Sequence, residues 1–529
     1  MPRSILNTAV LTSVLALTIG SQAIAQTYFR GSDGDPETLD QHKTSTVVEA
    51  NLLRDMFEGL VVYDASANVV PGVAADWEVS LDGLSYTFNL RDDAKWSNGD
   101  PVVAGDFVYS LQRIMNPETG AKYANILYPI KNALAINSGE AEPETLGVVA
   151  LDDHTLQINL EQPTPFFLEL LTHQTGLPVH PGTVEEFGAD FVQPQNHVSN
   201  GAYTLEEFSL GDKIVLNKNP EFHSADSVSI ETVEFLPFED RATCVRRWEA
   251  GEVHSCSDLP AEDINRLKED YGDNVRIAPY LGTYYYSVNT TREPFDDPRV
   301  RQAMSMVIDR EFLAEEIFTG TMVPAESFVP PGIGNYVEDS PRFDWADMSM
   351  LDREDAAIAL MEEAGYGPDT PLTVEISYNT SENHRNAATA IADMWSILGI
   401  ETTYNVRDAS AHYAMLRDEK DFDVARAGWI GDYSDPQNFL FLVESDNDGF
   451  NYPAYQNPEY DALMDKAAAE TDLDARAEIL AEAERMFLAD TPQIPLLYYS
   501  SRSMVSDDLH GWEDNIQNVH ATRFLSIAE

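Results

Sequence analysis

The sequence predicts an α/β protein of two or three domains, strand-rich in its first part and alternating helix with strand in its second. Three observations predict this. The chain has 529 residues, and single cores stop growing near about 250–300 residues. Its 43% hydrophobic content, with 23 Phe, 23 Tyr and 7 Trp, is that of a chain that folds and not of a disordered one. Finally, the spacing of apolar residues shifts along the chain from period two to helical period.

The first 25 residues read as an export signal. Arg3 gives a short positive region, Ile5 to Ile19 is apolar, and Ala23-Ile24-Ala25 is a small-x-small site that predicts cleavage after Ala25. No later apolar run is longer, and no cysteine stands at the cleavage point to carry a lipid. The expected product is a periplasmic protein without a direct membrane anchor. From Val61 to Tyr109 strands and turns dominate. Trp77 and Val79, then Tyr86, Phe88 and Leu90, alternate with polar residues about an Asp82-Gly83 hairpin turn. Val102 to Met115 has helical spacing and stops at Asn116-Pro117. Leu151 to Leu160 reads as one alternating strand, and Tyr203 to Leu205 and Ile214 to Leu216 as two more.

After Tyr280 helices appear. Pro298 opens an amphipathic one, and Arg353 to Glu363, Arg385 to Leu398 and Asp472 to Phe487 follow. Val374 to Tyr378 and Glu401 to Val406 are strands between them. No Pro/Gly-rich linker divides the two parts, so strands rather than a tether should join them.

The charge balance excludes some functions. With 33 Lys and Arg against 90 Asp and Glu, the net charge is −57, which is unsuited to nucleic acid or to an anionic membrane. There is no GxSxG, HExxH, Walker or GxGxxG motif, and the histidines lack i, i+4 pairs. Neither a catalytic residue, a metal site nor a cofactor is indicated, and an exported chain of this kind favours binding. Cys244 and Cys256 form an even pair in an oxidising compartment, but their spacing leaves a disulfide open.

The chemistry concentrates in Asp423 to Pro436. Phe422, Val424 and Arg426 share one face of a short strand by alternation, and Asp432 follows Gly431 where the chain turns. A guanidinium and a carboxylate fixed a few residues apart suit the two ends of a zwitterion. A salt-bridged strand end is the plainer alternative.

Several short stretches together identify a family. They are Phe57-Glu58-Gly59-Leu60, Pro71 to Trp77, Tyr86 to Arg91, Lys95 to Gly99, Asp106 to Tyr109, Asn200 to Tyr203, Pro294 to Arg301 and the Asp423 to Pro436 strand. In this order the chain resembles, over nearly all its mature length, the periplasmic oligopeptide-binding proteins of ABC importers, solute-binding protein family 5. The resemblance implies a bilobed type II binding-protein fold with an extra strand-rich domain, three domains in all. Residues 26–57, 180–281 and 498–529 would form the first lobe, 58–179 the extra domain, and 282–497 the second lobe. It implies a monomeric receptor that closes on an oligopeptide and delivers it to an inner-membrane permease. By the same resemblance Asp432 meets the peptide amino terminus, and Gly428 belongs to the strand that pairs with ligand backbone. Arg426, Arg417 and His384 meet ligand carboxylates; Tyr123, Tyr280, Tyr285, Trp429 and Tyr499 are walls; Val47 is a further backbone contact. Phe318 stands where close members carry lysine, and Ser45, Ser410, Gly282 and Ile430 also depart from the pattern. The nearest alternative is a murein-peptide receptor, where Arg417 and Arg426 would meet extra carboxylates. A dipeptide, nickel or haem receptor, an exported hydrolase, and a chaperone are further alternatives.

Overall fold

A computed structural model describes residues 26–528 apart from 45, 239, 408 and 448, and gives no side-chain detail at 261, 382, 409 and 410. The expected signal segment and its cleavage point, Ser45 and the Ser410 side chain therefore lie outside the described residues. In the strand-rich part, Ala74–Val79, Ser85–Leu90, Thr155–Asn159 and Val148–Asp152 form an antiparallel sheet in that spatial order. Its hairpin turns at Gly83, whose φ of 67° is costly for a residue with a Cβ. Tyr86, Phe88 and Leu90 point inward, as alternation requires. The helix Ala104–Met115 lays Phe107, Leu111 and Ile114 against this sheet. Asp106 secures its start by accepting from Val103 N at 3.0 Å and Trp96 Nε1 at 2.9 Å.

The single strand expected from Leu151 to Leu160 is instead two strands joined at Asp153-His154. The Asp152 carboxylate makes the turn, accepting from His154 N at 2.8 Å and Thr155 Oγ1 at 3.1 Å. Alternation continues across so short a turn, so periodicity alone did not reveal it.

The rest of the molecule is organised on one sheet of eleven strands. Its two longest members, Val275–Val288 and Gln493–Val505, pair antiparallel along their length. Their register breaks between Pro279 and Thr283. On one side of that break lie Thr27–Ser32, Thr232–Pro237, Lys213–Lys218 and Tyr203–Ser209; on the other lie Val424–Ile430, Leu372–Asn379 and Ile400–Arg407. Buried apolar residues separate in the same way. One core gathers residues from Leu281 to Leu497. A second runs from Tyr28 to Phe235, including the strand-rich sheet, and recovers Val505, Leu509 and Leu525. The fold is thus two α/β lobes joined by a pair of crossing strands.

A third, small core surrounds Cys244 and Cys256, which are disulfide-bonded with Cα atoms 6.0 Å apart. The bond ties the helix Arg241–Glu249 to the strand Ser255–Cys256. Gly31 leaves room for it, since a Cβ there would collide with Cys244 Sγ. With 12 residues of sequence separation, replacing both cysteines by serine is expected to lower stability by about 3 kcal/mol. Urea unfolding of the mature protein checks this.

Candidate functional site

Strand pairing creates an unusual opening beside Arg426. The strand Val424–Ile430 is paired along one edge with Gly282 to Val288. On its other edge Leu372–Asn379 pairs only with Val424 and Ala425. From Arg426 to Ile430 that edge has no strand partner among the described residues. Gly431 N donates to Leu281 O at 2.8 Å, and the Arg426 carbonyl accepts from His412 Nε2 at 2.8 Å. Because peptide groups alternate direction along a strand, those of Gly428 and Ile430 also turn to the open edge. Gly428 also keeps the site face clear. A Cβ there would lie 2.6 Å from Tyr499 Oη.

At the inner end of this edge stands Arg426, only 7% exposed. It donates to Asn379 Oδ1 at 3.2 Å, Tyr413 Oη at 2.9 Å and Tyr499 Oη at 3.0 Å, and lies 4.7 Å over the Tyr284 ring. All these partners are neutral, and its Nε is buried without an acceptor. The guanidinium is held in position while no carboxylate among the described residues answers its charge. His384 Nδ1 is 3.1 Å from Tyr284 Oη. Burial first, then Arg426 and His412, push its pKa down to about 3, so it is neutral at pH 7. Phe318 meets Tyr284 edge-on at 5.4 Å, adding an apolar wall.

At the outer end the chain turns at Gly431, packed so closely on Leu281 that a Cβ would lie 2.9 Å from its side chain. Asp432 follows. Its carboxylate is open to solvent and has neither an ion pair nor a hydrogen bond among the described residues. Even so, the surrounding walls remove enough water to push its pKa up to about 6. Tyr123, Tyr280 and Tyr433 stand within electrostatic reach of it. The turn itself is rigid. Arg476 holds Asp435 through two 2.8 Å hydrogen bonds, with the two side chains 1% and 0% exposed. Ser434 Oγ accepts from Gly334 N at 2.9 Å, and Asn438 Nδ2 donates to Tyr433 O at 3.0 Å.

Val47, Tyr280 and Tyr499 line one cavity of about 290 Å³ beside Ile430, where the lobes meet. Trp429 is on the strand itself, its Nε1 donating to Asn438 Oδ1 at 3.1 Å and its ring edge-on to Phe441 and Phe450. Tyr123 packs on His173 at 5.5 Å and approaches Asp432 from the strand-rich part. Arg417 is largely exposed and donates to its exposed neighbour Asp418 at 2.9 Å. One residue is placed differently from expectation. Tyr285 is 1% exposed and packs on Phe328 in the core, because the strand buries it under the helices of the second lobe. Tyr284, which sequence reading passed over, supplies the ring under Arg426. Asn379 and Tyr413 were also missed. No group of three His, Cys, Asp or Glu among the described residues can hold a metal. No described helix is long and apolar enough to cross a membrane.

Comparisons with known proteins agree with this architecture. Residues 68–451 match the family model of bacterial extracellular solute-binding proteins, family 5. The periplasmic oligopeptide-binding protein OppA of Salmonella typhimurium is 36% identical over 540 residues, covering 99% of this chain and 98% of the relative. The unliganded open form of the periplasmic murein tripeptide binding protein MppA superposes with a TM-score of 0.91 at 36% identity, covering 96% of this chain and 98% of that one. OppA of Haemophilus influenzae in complex with the peptide RPPGFSPFR gives 0.71 at 34% identity, covering 96% and 99%. A two-lobed α/β chain with crossing strands, matched over most of its length by these proteins, belongs to the bacterial extracellular solute-binding proteins of family 5.

Proposed function

We propose that this protein is the periplasmic receptor of a peptide ABC importer, binding short oligopeptides between its lobes and handing them to an inner-membrane permease. It binds its ligand as an exported, monomeric protein, freed of its first 25 residues, and performs no chemistry on it. One observation carries the reading: an open strand edge has an unanswered guanidinium at one end and an unanswered carboxylate at the other. A peptide offers the complement, with backbone donors and acceptors between a cationic head and an anionic tail. Six steps of extended chain from Arg426 to Asp432 span at most about 20 Å, which suits roughly three to five residues. Neutral His384 can donate to a carboxylate that stops short of Arg426.

Lobe closure is supported by the two structural comparisons. Identity and coverage are nearly equal, yet the TM-score falls from 0.91 against the unliganded open form to 0.71 against the peptide complex. Different lobe placement, with each lobe's fold retained, accounts for such a drop. Asp432, open to solvent between the parted lobes, would be enclosed on closure.

The murein-peptide alternative has the MppA likeness in its favour. The exposed Arg417–Asp418 pair is too weak to keep Arg417 from an added carboxylate. Mass spectrometry of ligands released from the freshly purified protein tests both. Linear peptides of about three to five residues are expected. Metal, haem or sugar alone would overturn the peptide reading, and γ-linked cell-wall peptides alone would select the alternative.

A further inference from the structure

A second cation lies close to the same cleft. The helix Val47–Met56 buries most of its surface, but Val47, Asn51 and Arg54 form a partly accessible stripe at i, i+4 and i+7. Val47 and Asn51 line the cavity between the lobes, and Arg54, the next residue along the stripe, neighbours Tyr280, which lines the same cavity. Arg54 has no ion pair and no hydrogen bond among the described residues, and its Nε is buried without an acceptor. Its electrostatic neighbours are Tyr63, Tyr280, His173 and the like-charged Arg30, with no carboxylate.

Three other deeply placed arginines have acceptors. Arg310 donates to the carbonyls of Pro495 and Ser305, Arg301 to those of Phe295 and Thr491, and Arg476 to Asp435. In a chain of net charge −57, a guanidinium that meets no acid has been kept from one. The helix dipole favours a cation in the last turn, but it does not supply the acceptor that buried Nε lacks. Tyr280 lies within reach of both Arg54 and Asp432, and Tyr123 and His173 link them on the other side. The two charges therefore sit at opposite ends of one aromatic patch.

We propose that Arg54 is a ligand subsite for a carboxylate carried beside the ligand's amino terminus. With the ammonium at Asp432, an acidic side chain at the first or second residue reaches across the patch to Arg54. The free α-carboxylate of a γ-linked glutamate offers the same chemistry. The inference rests on the peptide reading above.

Calorimetry on the mature protein with Glu-Ala-Ala-Ala and Gln-Ala-Ala-Ala tests it. The wild type should favour the Glu peptide by about tenfold or more, as a charge-assisted hydrogen bond allows. Arg54→Gln should abolish that preference while leaving Gln-peptide affinity within about threefold, and Arg54→Lys should retain part of it. Two further ligands, Ala-Glu-Ala-Ala and its γ-linked D-Glu counterpart, identify the source by which one loses more affinity in Arg54→Gln. Equal binding of the Glu and Gln peptides by the wild type, or a preference that survives Arg54→Gln, overturns the subsite and leaves the receptor reading standing. Failure of every peptide to bind the wild type overturns both.

Discussion

Replacing Asp432 with Asn is expected to weaken binding of a free-amine tetrapeptide by about 3–5 kcal/mol, the cost of leaving one member of an enclosed charge pair alone. The substitution keeps the shape of the side chain and removes only its charge, so lobe structure should be unchanged. N-acetylated peptide should bind the wild type poorly and gain little or lose little in the variant. The pH dependence follows from the same carboxyl. Desolvation holds it at about 6 in the empty cleft, and an ammonium beside it would draw that value down. Above about pH 6 the carboxylate is already charged, and affinity is flat until the ligand's own α-amino group begins to lose its proton at about pH 7.5–8. Below it the ligand must displace a proton, so affinity falls, approaching tenfold per pH unit until the bound-state value is reached. Asp432→Asn should lack this acid limb. Titration calorimetry from about pH 5 to 8, spanning that value, measures both effects. Equal affinity of the wild type for free and acetylated peptides would remove Asp432 from the site.

The local chemistry of the site was legible in sequence because it depends on short-range rules. Alternation placed Arg426 on one strand face, and Gly431 marked the turn that presents Asp432. Order and spacing of short motifs gave the family and hence the two lobes. What escaped reading depends on contacts distant in sequence or on choices that periodicity leaves equal. Tyr284, Tyr285 and Tyr286 are consecutive, and composition cannot say which of them reaches Arg426; the register with Val424–Ile430 decides it. Arg54 was not singled out, because the lack of an acid around it among the described residues depends on contacts distant in sequence. The open edge beyond Ala425 is a property of where Leu372–Asn379 stops pairing, and no single strand carries that information.

Arg476→Met is expected to destabilise the second lobe by about 3–5 kcal/mol, because it strands a buried carboxylate. Asp435 has almost no access to water, and Arg476 provides two of its hydrogen bonds. Asn335 Nδ2 at 3.2 Å and Gln437 N at 2.9 Å would be left to neutral donation only. Arg476 also lies 5.5 Å over the Phe166 ring, which stacks on Tyr433 at 4.9 Å, so its loss reaches the contact between the strand-rich part and the second lobe. The separation of 41 residues means that the pair ties a long helix to the turn bearing Asp432. Affinity for free-amine peptides should therefore fall even where the variant remains folded, since the carboxylate three residues earlier loses its fixed position. Adding Asp435→Asn should restore part of the stability, because the unanswered charge is gone, yet should not restore affinity, because the turn remains loose. Urea unfolding and calorimetry on the single and double variants separate these contributions. A loss under about 1 kcal/mol in Arg476→Met would match a solvent-exposed pair, and the Asp432 turn would then owe its rigidity to other contacts.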